Sequence, residues 1–246
     1  MAPVLTSDEP LRFRAVRALR ASDEIAAQIR AELATGKLAV GSRLPSERAL
    51  AEQFGVSRNT LREALRSLEH AGLLTLHKGA HGGAFIARGG GQAVSNGLQD
   101  LFSLGEIQPA QLTEARIWLE AVIVREACRR ATPDDIAALR RNVAETEAAM
   151  AVDDFPLRAE KNIEFHRILA RMTGNPMMEL LVNAVLDVLR GFIRSIGAYP
   201  NHHVLPSRRR FIAHLEAGDA EAAGAEMEAS LKRLQRSYLS RLKATR

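Results

Sequence analysis

The stretch that decides the fold covers residues 44–87 and reads LPSERALAEQFGVSRNTLREALRSLEHAGLLTLHKGAHGGAFIA. Its first part carries apolar residues at helical spacing, breaks at Gly55 and resumes after Ser57, a residue type that caps helices. A second break at Gly72 precedes two short apolar runs, which are separated by the glycine-rich segment KGAHGG. This pattern predicts a helix, a tight turn, a second helix and a two-stranded hairpin.

The second predicted helix has one apolar and one polar face. Leu61, Leu65 and Leu68 repeat at core spacing, which leaves Arg58 and Arg62 off the core face and one helical turn apart. A helix-turn-helix presents this N-terminal half of its second helix to base edges in the major groove. Arginine side chains there can bind guanine through two hydrogen bonds. The stretch therefore predicts a DNA-reading unit followed by a wing.

The same stretch resembles the winged helix-turn-helix of the GntR family of transcription regulators. The resemblance rests on LPSER, LAEQFGVSRNTLREAL and LEHAGLL, in this order and at this spacing. It implies that double-stranded operator DNA is a partner, and that both helices and the wing contact it. The residues that the resemblance places against DNA are Arg48, Ser57, Arg58, Asn59, Thr60, Arg62, Lys78, Gly79 and His81.

Charge and composition agree with a soluble DNA-binding protein. Residues 1–90 contain 13 Lys and Arg against 9 Asp and Glu, a net of +4, whereas the whole chain carries +5. The positive excess therefore lies with the predicted DNA-reading unit, where it would neutralise phosphates. The single cysteine, Cys128, excludes an internal disulfide. Because no apolar run approaches ~20 residues, we expect a cytoplasmic protein without a membrane span.

A run of three glycines at 89–91 marks the expected boundary between two domains. The predicted segments are a flexible basic N-terminal segment at 1–20, a winged helix-turn-helix domain at 21–88, a Gly-rich linker at 89–97 and a helical domain at 98–246. Ser22 is expected to cap the first helix. Residues 98–246 show helical periodicity throughout and predict an all-α antiparallel bundle of six or seven helices. The expected fold is thus mainly α.

The bundle resembles the FCD ligand-binding domain, which marks the FadR-like branch of the GntR family. The resemblance rests on LTEARIWLE, NIEFHRILARMTGNPMMELL and LEAGDAEAA, in this order. It implies a homodimer whose helical domain binds an effector. Many FCD domains hold a divalent metal with one Asp and three His, and the matching residues here are Asn162, His166, Arg208 and Ser230. Only His166 is a good ligand and a guanidinium repels a cation, so we expect no metal and no other cofactor.

We assign the four matching residues, together with Arg116, to an effector site. Arg116 shares a helix face with Leu112 and must find a partner in the interior. With Arg208 it would form a receptor for a small-molecule carboxylate that needs no cation. Alternatively, Arg116 pairs with a structural carboxylate, such as Glu120 or Glu164, and Arg208 is exposed.

These features predict a ligand-responsive transcription regulator, expected to repress a metabolic operon. It would bind an inverted-repeat operator as a dimer and be released by a small organic acid. We do not expect an enzyme, because the bundle lacks an activated nucleophile and a pair of catalytic carboxylates. Three alternatives stay open: a metal-dependent sensor, an enzyme fused to a DNA-binding domain with His166 as its base, and an architectural DNA-binding protein without an effector.

Overall fold

The computed structural model describes residues 18–79, 82–87, 89, 91–199 and 201–245. In chain order they form α1 (Ala18–Ala34), α2 (Glu47–Phe54), α3 (Arg58–His70), β1 (Leu74–His77), β2 (Gly83–Ile86), α4 (Gly91–Ser103), α5 (Pro109–Arg130), α6 (Pro133–Ala151), α7 (Phe155–Met172), α8 (Pro176–Ile196), α9 (Val204–Glu216) and α10 (Ala220–Thr245). The chain divides into two compact units, residues 1–90 and 91–246, and each has its own hydrophobic core. The prediction of a mainly α fold is confirmed.

The first unit is organised around α3. Leu61, Leu65 and Leu68 of this helix are almost completely buried, and they pack in one cluster with Ile25 and Ile29 of α1. This apolar stripe is the one that the spacing of the sequence predicts. Its burial fixes which face of α3 points away from the core, and therefore which side chains are available to a partner.

The wing is an antiparallel pair of β1 and β2, with Leu74 opposite Ile86. Both of these side chains are buried in the core of the first unit. The backbone N–H of Leu76 donates a hydrogen bond to Oε1 of Glu69 at 2.9 Å, so a side chain of α3 holds the strand next to it. The hairpin therefore shares a hydrophobic core with α3 and is also joined to that helix by this hydrogen bond.

The first helix begins earlier than the sequence indicates. Because α1 starts at Ala18, Ser22 lies inside it and does not cap it. Ser22 is buried on the same face as Ile25, three residues further on, so the helical repeat continues through it. Residues 18–20, which we assigned to the flexible segment, thus belong to α1. The rest of that segment, residues 1–17, lies outside the described residues.

The second unit contains the seven helices α4–α10 within the part of the chain that the structure describes. The helix α5 packs against α10, α6 against α7, α4 against α8, and α9 against α10. Phe165, Leu169, Leu189 and Phe211 lie at the centre of this core. Three of the helices, α5, α6 and α8, begin at a proline, where the missing N–H needs no partner. No helix among the described residues has the length and apolar character needed to cross a membrane.

The linker predicted at 89–97 is wrong for most of its length, because α4 begins at Gly91. Leu98 and Phe102 of α4 pack on the core of the second unit. Ser95, one turn earlier, is buried and donates a hydrogen bond to Asp187 of α8 at 2.9 Å. These tertiary contacts outweigh the low helix propensity that glycine gives to this segment.

Candidate functional site

The turn between α2 and α3 positions the reading helix. Gly55 ends α2 with a φ of +64°, a backbone conformation that favours glycine, and its N–H donates to the carbonyl of Glu52. Ser57 then caps α3, because its Oγ accepts a hydrogen bond from the N–H of Thr60 at 3.1 Å. The two hydroxyl oxygens of Ser57 and Thr60 lie 2.9 Å apart. Both predicted DNA contacts are thus held at the end of α3 that enters the groove in helix-turn-helix proteins.

The arginines predicted to read DNA are exposed, and two of them share one acidic neighbour. Nε of Arg62 lies 2.8 Å from Oε2 of Glu47, and Nη2 of Arg58 lies 3.8 Å from the same oxygen. Glu47 therefore holds both guanidinium groups near one edge of α3. Arg48 extends from α2, with 82% of its side chain exposed, and pairs with Glu52 at 3.3 Å. Such exposed ion pairs are weak, so DNA phosphates and bases can replace them.

An open groove of about 820 Å³ lies between α3 and the wing. Its basic lining residues are Arg43, Arg62, Arg66 and Lys78. Two of them, Arg43 and Arg66, are absent from the contacts predicted above. Arg43 directly precedes the LPSER motif and Arg66 follows Arg62 by one helical turn, so both signals were present in the sequence. We call this surface, formed by α3, the wing and these four cations, the basic groove.

Arg43 and Gly79 lie on the wing side of the basic groove. Arg43 donates a hydrogen bond to the carbonyl of Gly82, which holds its guanidinium against the wing. Gly79 adopts a φ of +99°, where a side chain would be strained. Asn59 is exposed on α3, as a DNA contact must be. The predicted contact His81 lies outside the described residues.

In the second unit, four of the five predicted effector residues line one small internal cavity. They are Arg116, Asn162, His166 and Arg208. The fifth, Ser230, lines a neighbouring cavity, and His166 and Arg208 line both. The two cavities measure about 10 and 20 Å³, each enough for roughly one water molecule. The structure thus brings the predicted residues together, but the space between them is smaller than an organic acid.

A buried carboxylate, Glu120, is the immediate neighbour of this cluster. Its Oε1 lies 2.7 Å from Nδ1 of His166 and 3.6 Å from Nε of Arg116, and the residue is only 1% exposed. The alternative that Arg116 pairs with an internal carboxylate is therefore correct. Arg116 and Glu120 are four residues apart on α5, so helical spacing makes the pair detectable in the sequence.

Arg208 is buried as well, and the alternative that it is exposed is wrong. Its Nη2 donates to the backbone carbonyl of Asn162 at 2.9 Å, and its Nη1 lies 3.5 Å from Oδ1 of Asn142. Its guanidinium carbon lies 4.2 Å from the centre of the Phe165 ring. Within the described residues Arg208 forms no ion pair with a carboxylate. Neutral acceptors therefore surround a full positive charge in the interior.

Two tyrosines that the sequence analysis missed complete the smaller cavity. Tyr199 follows α8 and Tyr238 lies on α10, and their hydroxyl oxygens are 3.4 Å apart. Burial raises the pKa of Tyr199 well above its usual value, so its hydroxyl stays protonated and can donate a hydrogen bond. Nothing in the local sequence connects two residues so far apart along the chain.

The charges of the cluster follow from burial and from the neighbours of each group. Burial lowers the pKa of His166 to about 4, which leaves the imidazole neutral at pH 7. Burial also lowers the pKa of Arg208, to about 9, which leaves this guanidinium positive. For Glu120, burial acts to raise the pKa, but His166 and Arg116 outweigh it and lower the pKa below its ordinary value. Two positive charges and one negative charge therefore give the cluster a net charge of +1.

Comparison with known proteins decides which family this architecture represents. Residues 21–86 match the bacterial regulatory proteins of the gntR family, and residues 111–233 match the FCD domain. A protein of Escherichia coli K12, named as an L-lactate dehydrogenase operon regulatory protein, is 31% identical over 224 residues, which cover 86% of this chain and 84% of that protein. The chain belongs to the GntR family.

Two further relatives of this GntR-family protein agree with that membership. The HTH-type transcriptional repressor NanR of Salmonella arizonae is 29% identical over 188 residues, which cover 75% of this chain and 70% of that protein. The solved structure of a GntR protein from Streptococcus agalactiae superposes with a TM-score of 0.63 at 27% identity, covering 89% of this chain and 100% of that chain. The GntR-family protein is thus a DNA-binding transcription regulator and not an enzyme.

The residues at the metal-binding positions of FCD domains do not fit a divalent cation in this GntR-family protein. A buried guanidinium, that of Arg208, lines both cavities next to His166, and positive charge there opposes a cation. Nδ1 of His166 is directed at Glu120, a residue that lines neither cavity. Asn162 and Ser230 offer only neutral oxygens, which are weak ligands for zinc or nickel.

Replacing Glu47 by Gln is expected to weaken sequence discrimination. The substitution removes the partner of Arg58 and Arg62 and one negative charge beside the basic groove. Affinity for random DNA should rise about 3- to 10-fold, while the ratio of operator to random-DNA affinity falls. Fluorescence anisotropy at fixed salt measures both quantities. Glu24→Gln makes the same charge change on α1 and serves as the control; an equal effect in both variants would contradict a specific role for Glu47.

Stability should fall in acid because of His166. Between pH 6.5 and about 4 the unfolded chain binds a proton at His166 that the folded chain excludes, so the free energy of unfolding decreases as the pH falls through this window. The lowered pKa of Glu120 acts in the same direction. We expect the free energy of unfolding to fall by roughly 3 kcal/mol across this window. Circular dichroism detects this change as a lower midpoint of thermal unfolding. His166→Gln should remove most of this dependence of stability on pH, and His202→Gln, at an exposed position, should keep it. If stability changed with pH equally in both variants, His166 could not be its source.

Proposed function

We propose that this GntR-family protein is a dimeric repressor of a metabolic operon in the cytoplasm. It binds an inverted-repeat operator through two basic grooves, and a small carboxylate effector in the helical domain lowers its affinity for that operator. The observation that carries the effector assignment is the buried guanidinium of Arg208, which lines both small cavities and forms no ion pair with a carboxylate within the described residues.

DNA binding by the first unit is supported by the position and exposure of its cations. The side chains of Arg58 and Arg62 are 61% and 50% exposed near the N-terminus of α3, and the basic groove beside them is open. A guanidinium can donate two hydrogen bonds to O6 and N7 of guanine, which supplies sequence discrimination. Lys78 and Arg43 lie at the wing side, where contact with phosphates or the minor groove positions the domain without reading sequence.

An anionic effector is supported by the imbalance of buried charge. An unpaired buried cation is unfavourable by several kcal/mol, and one carboxylate near Arg208 would offset part of that penalty. Asn162 has a buried Oδ1 without a hydrogen-bond partner, and this acceptor suits a hydroxyl group on the ligand and not its carboxylate. Because His166, Arg208 and Leu234 line both small cavities, displacement of these side chains would join the cavities into one larger site.

The chemistry of the effector is narrowed by the relatives. The named role of the E. coli relative concerns an L-lactate dehydrogenase operon, and lactate is itself a small carboxylate. A hydroxy acid is therefore a sensible first candidate for this chain. Coupling between effector and operator is reciprocal, so operator DNA must lower the affinity for the effector by the same factor as the effector lowers the affinity for DNA.

Dimerisation through α5 and α10 is supported by exposed apolar side chains on α5 and by a groove that runs beside α10. Trp118 and Val122, on consecutive turns of α5, are 64% and 48% exposed. A groove of about 590 Å³ along α5 and α10 is lined by small residues and by charged residues of both helices, with Arg125 and Arg129 on the α5 side and Glu221 and Glu228 on the α10 side. Of these, Arg125 and Glu221 are the proposed partners across a dimer. Neither of these two charges forms an ion pair within the described residues. A two-fold axis would place Arg125 of one copy against the Glu221 of the other and cover both tryptophans.

Arg62→Ala is expected to weaken specific operator binding. The operator is first selected from random DNA with the wild-type protein, and affinity is then measured by fluorescence anisotropy at fixed salt. We expect operator affinity to fall about 10- to 100-fold, because a bidentate guanine contact contributes ~1–3 kcal/mol. Arg30→Ala removes the same charge from an exposed position of α1 and should change affinity little. An unchanged operator affinity in Arg62→Ala would contradict α3 as the reading helix.

Arg208→Met is expected to abolish the effector response while operator binding persists. Methionine fills similar apolar volume but removes the charge that attracts the carboxylate. A carboxylate panel that stabilises the wild-type protein in thermal unfolding should no longer shift the midpoint of the variant. Addition of those acids should also no longer release its operator DNA. Arg209→Met, at the neighbouring exposed position, is the control; retention of the response in Arg208→Met would contradict the site.

Trp118→Glu is expected to convert the dimer into a monomer, because it buries a carboxylate in the proposed interface. Sedimentation velocity measures the change directly, and Val152→Glu, at an exposed apolar residue on α6's C-terminal side, should stay dimeric. Arg125→Glu should weaken the dimer, and the double variant Arg125→Glu/Glu221→Arg should restore it. A dimer of unchanged stability in Trp118→Glu would exclude this face.

A further inference from the structure

Glu120 differs from the other charged groups of the buried cluster in where it lies. Arg116, His166 and Arg208 line the small cavities, whereas Glu120 is not among the lining residues. It sits behind two of them, with its Oε1 2.7 Å from Nδ1 of His166 and 3.6 Å from Nε of Arg116. A ligand in the cavity would therefore meet the guanidinium groups directly and experience Glu120 only through its charge.

We propose that Glu120 makes the effector site selective for monocarboxylates over dicarboxylates, by setting the net charge of the buried cluster at +1. The inference rests on the proposed effector function and names the ligand class of that site. One of the two arginines, Arg116, already has an internal counter-charge. Only the charge of Arg208 is left to be balanced, because its partners are a backbone carbonyl, an amide oxygen and an aromatic ring.

A second carboxylate on the ligand would find no favourable position. It would add a charge that the cluster cannot balance, in an interior where an unbalanced charge is strongly unfavourable. The rest of the smaller cavity is lined by uncharged groups, namely Ile163, Leu189, Ile193, Leu234 and the hydroxyl-bearing Tyr199 and Tyr238. These groups suit a ligand with one carboxylate and an apolar or hydroxylated body.

The test uses pairs of acids with the same carbon skeleton and different charge. Lactate is paired with tartronate, butyrate with succinate, and gluconate with glucarate. Dissociation constants for the full-length protein are measured by isothermal titration calorimetry at pH 7. For the wild-type protein, the monocarboxylate of any pair that binds should bind at least about 10-fold more tightly than its dicarboxylate, as expected for one unbalanced charge at short range.

Two variants change the charge of the cluster in known steps. E120Q keeps the shape of Glu120 but raises the net charge to +2, and should shift the preference towards the dicarboxylate by at least about 10-fold. The double variant R116Q/E120Q returns the net charge to +1 and should prefer the monocarboxylate again. A purely structural role for Glu120 would weaken both acids of a pair equally and leave their ratio unchanged. Circular dichroism and gel filtration check that each variant is folded.

Each outcome decides the proposal. A wild-type protein that binds a dicarboxylate as tightly as its matched monocarboxylate would overturn the charge selectivity and leave the proposed effector function standing. An E120Q variant that keeps the wild-type ratio of monocarboxylate to dicarboxylate affinity would also overturn the charge selectivity. If E120Q does not fold, the double variant R116Q/E120Q replaces it in the test. A preference of this variant for the dicarboxylate would overturn the charge selectivity, and a preference for the monocarboxylate would support it. Binding of no acid in the panel by the wild-type protein would overturn the effector function together with this inference.

Discussion

The electrostatic balance around Glu120 is the constraint on which the helical domain depends. A carboxylate with 1% exposure is tolerable in a protein core only when cations and hydrogen-bond donors surround it. Arg116 fulfils this role from the same helix as Glu120, and His166 does so from α7, so the contact between His166 and Glu120 joins α5 to α7. The second cation, Arg208 on α9, forms no ion pair with a carboxylate within the part of the chain that the structure describes. The same contacts that hold the core together therefore leave a positive charge where an anion can bind.

Each unit contains a carboxylate with two basic neighbours, but one of these carboxylates is exposed and the other is buried. Glu47 contacts Arg58 and Arg62 at the surface, where water and salt screen the interaction and another anion can replace it. Glu120 is sealed in the interior, where the interaction is strong and removal of one partner leaves an uncompensated charge. The exposed arrangement suits exchange with DNA phosphates, whereas the buried arrangement suits a fixed electrostatic field.

The small size of the two internal cavities bears on how the proposed effector would act. Each holds about one water molecule, and His166, Arg208 and Leu234 line both. A ligand must therefore displace side chains from α7, α9 or α10 in order to bind. Because α10 packs against α5, and α5 carries the face proposed for dimerisation, such a displacement acts on helices that the interface would use. A binding event that required no rearrangement could not shift the balance between conformations in this way.

The sequence by itself determined the features that depend on neighbours along the chain. The apolar repeat of Leu61, Leu65 and Leu68, the break at Gly55 and the cap at Ser57 are encoded within one or two helical turns. They fixed the helix-turn-helix and the exposed side of α3. The mainly α fold of the second unit followed from the same kind of local periodicity. The pair of Arg116 and Glu120 was also within reach, since both residues lie on one helix.

Only the tertiary structure decided what depends on packing between distant segments. It brought Tyr199 and Tyr238 to one cavity, buried Arg208 against Phe165, and recruited Gly91 and the residues after it into α4 through contacts with α8. No local pattern carries this information, because burial and charge balance belong to a set of helices and not to any one of them. The exposed face of α3 was therefore open to prediction from sequence, whereas the charge balance at the proposed effector site had to come from the fold.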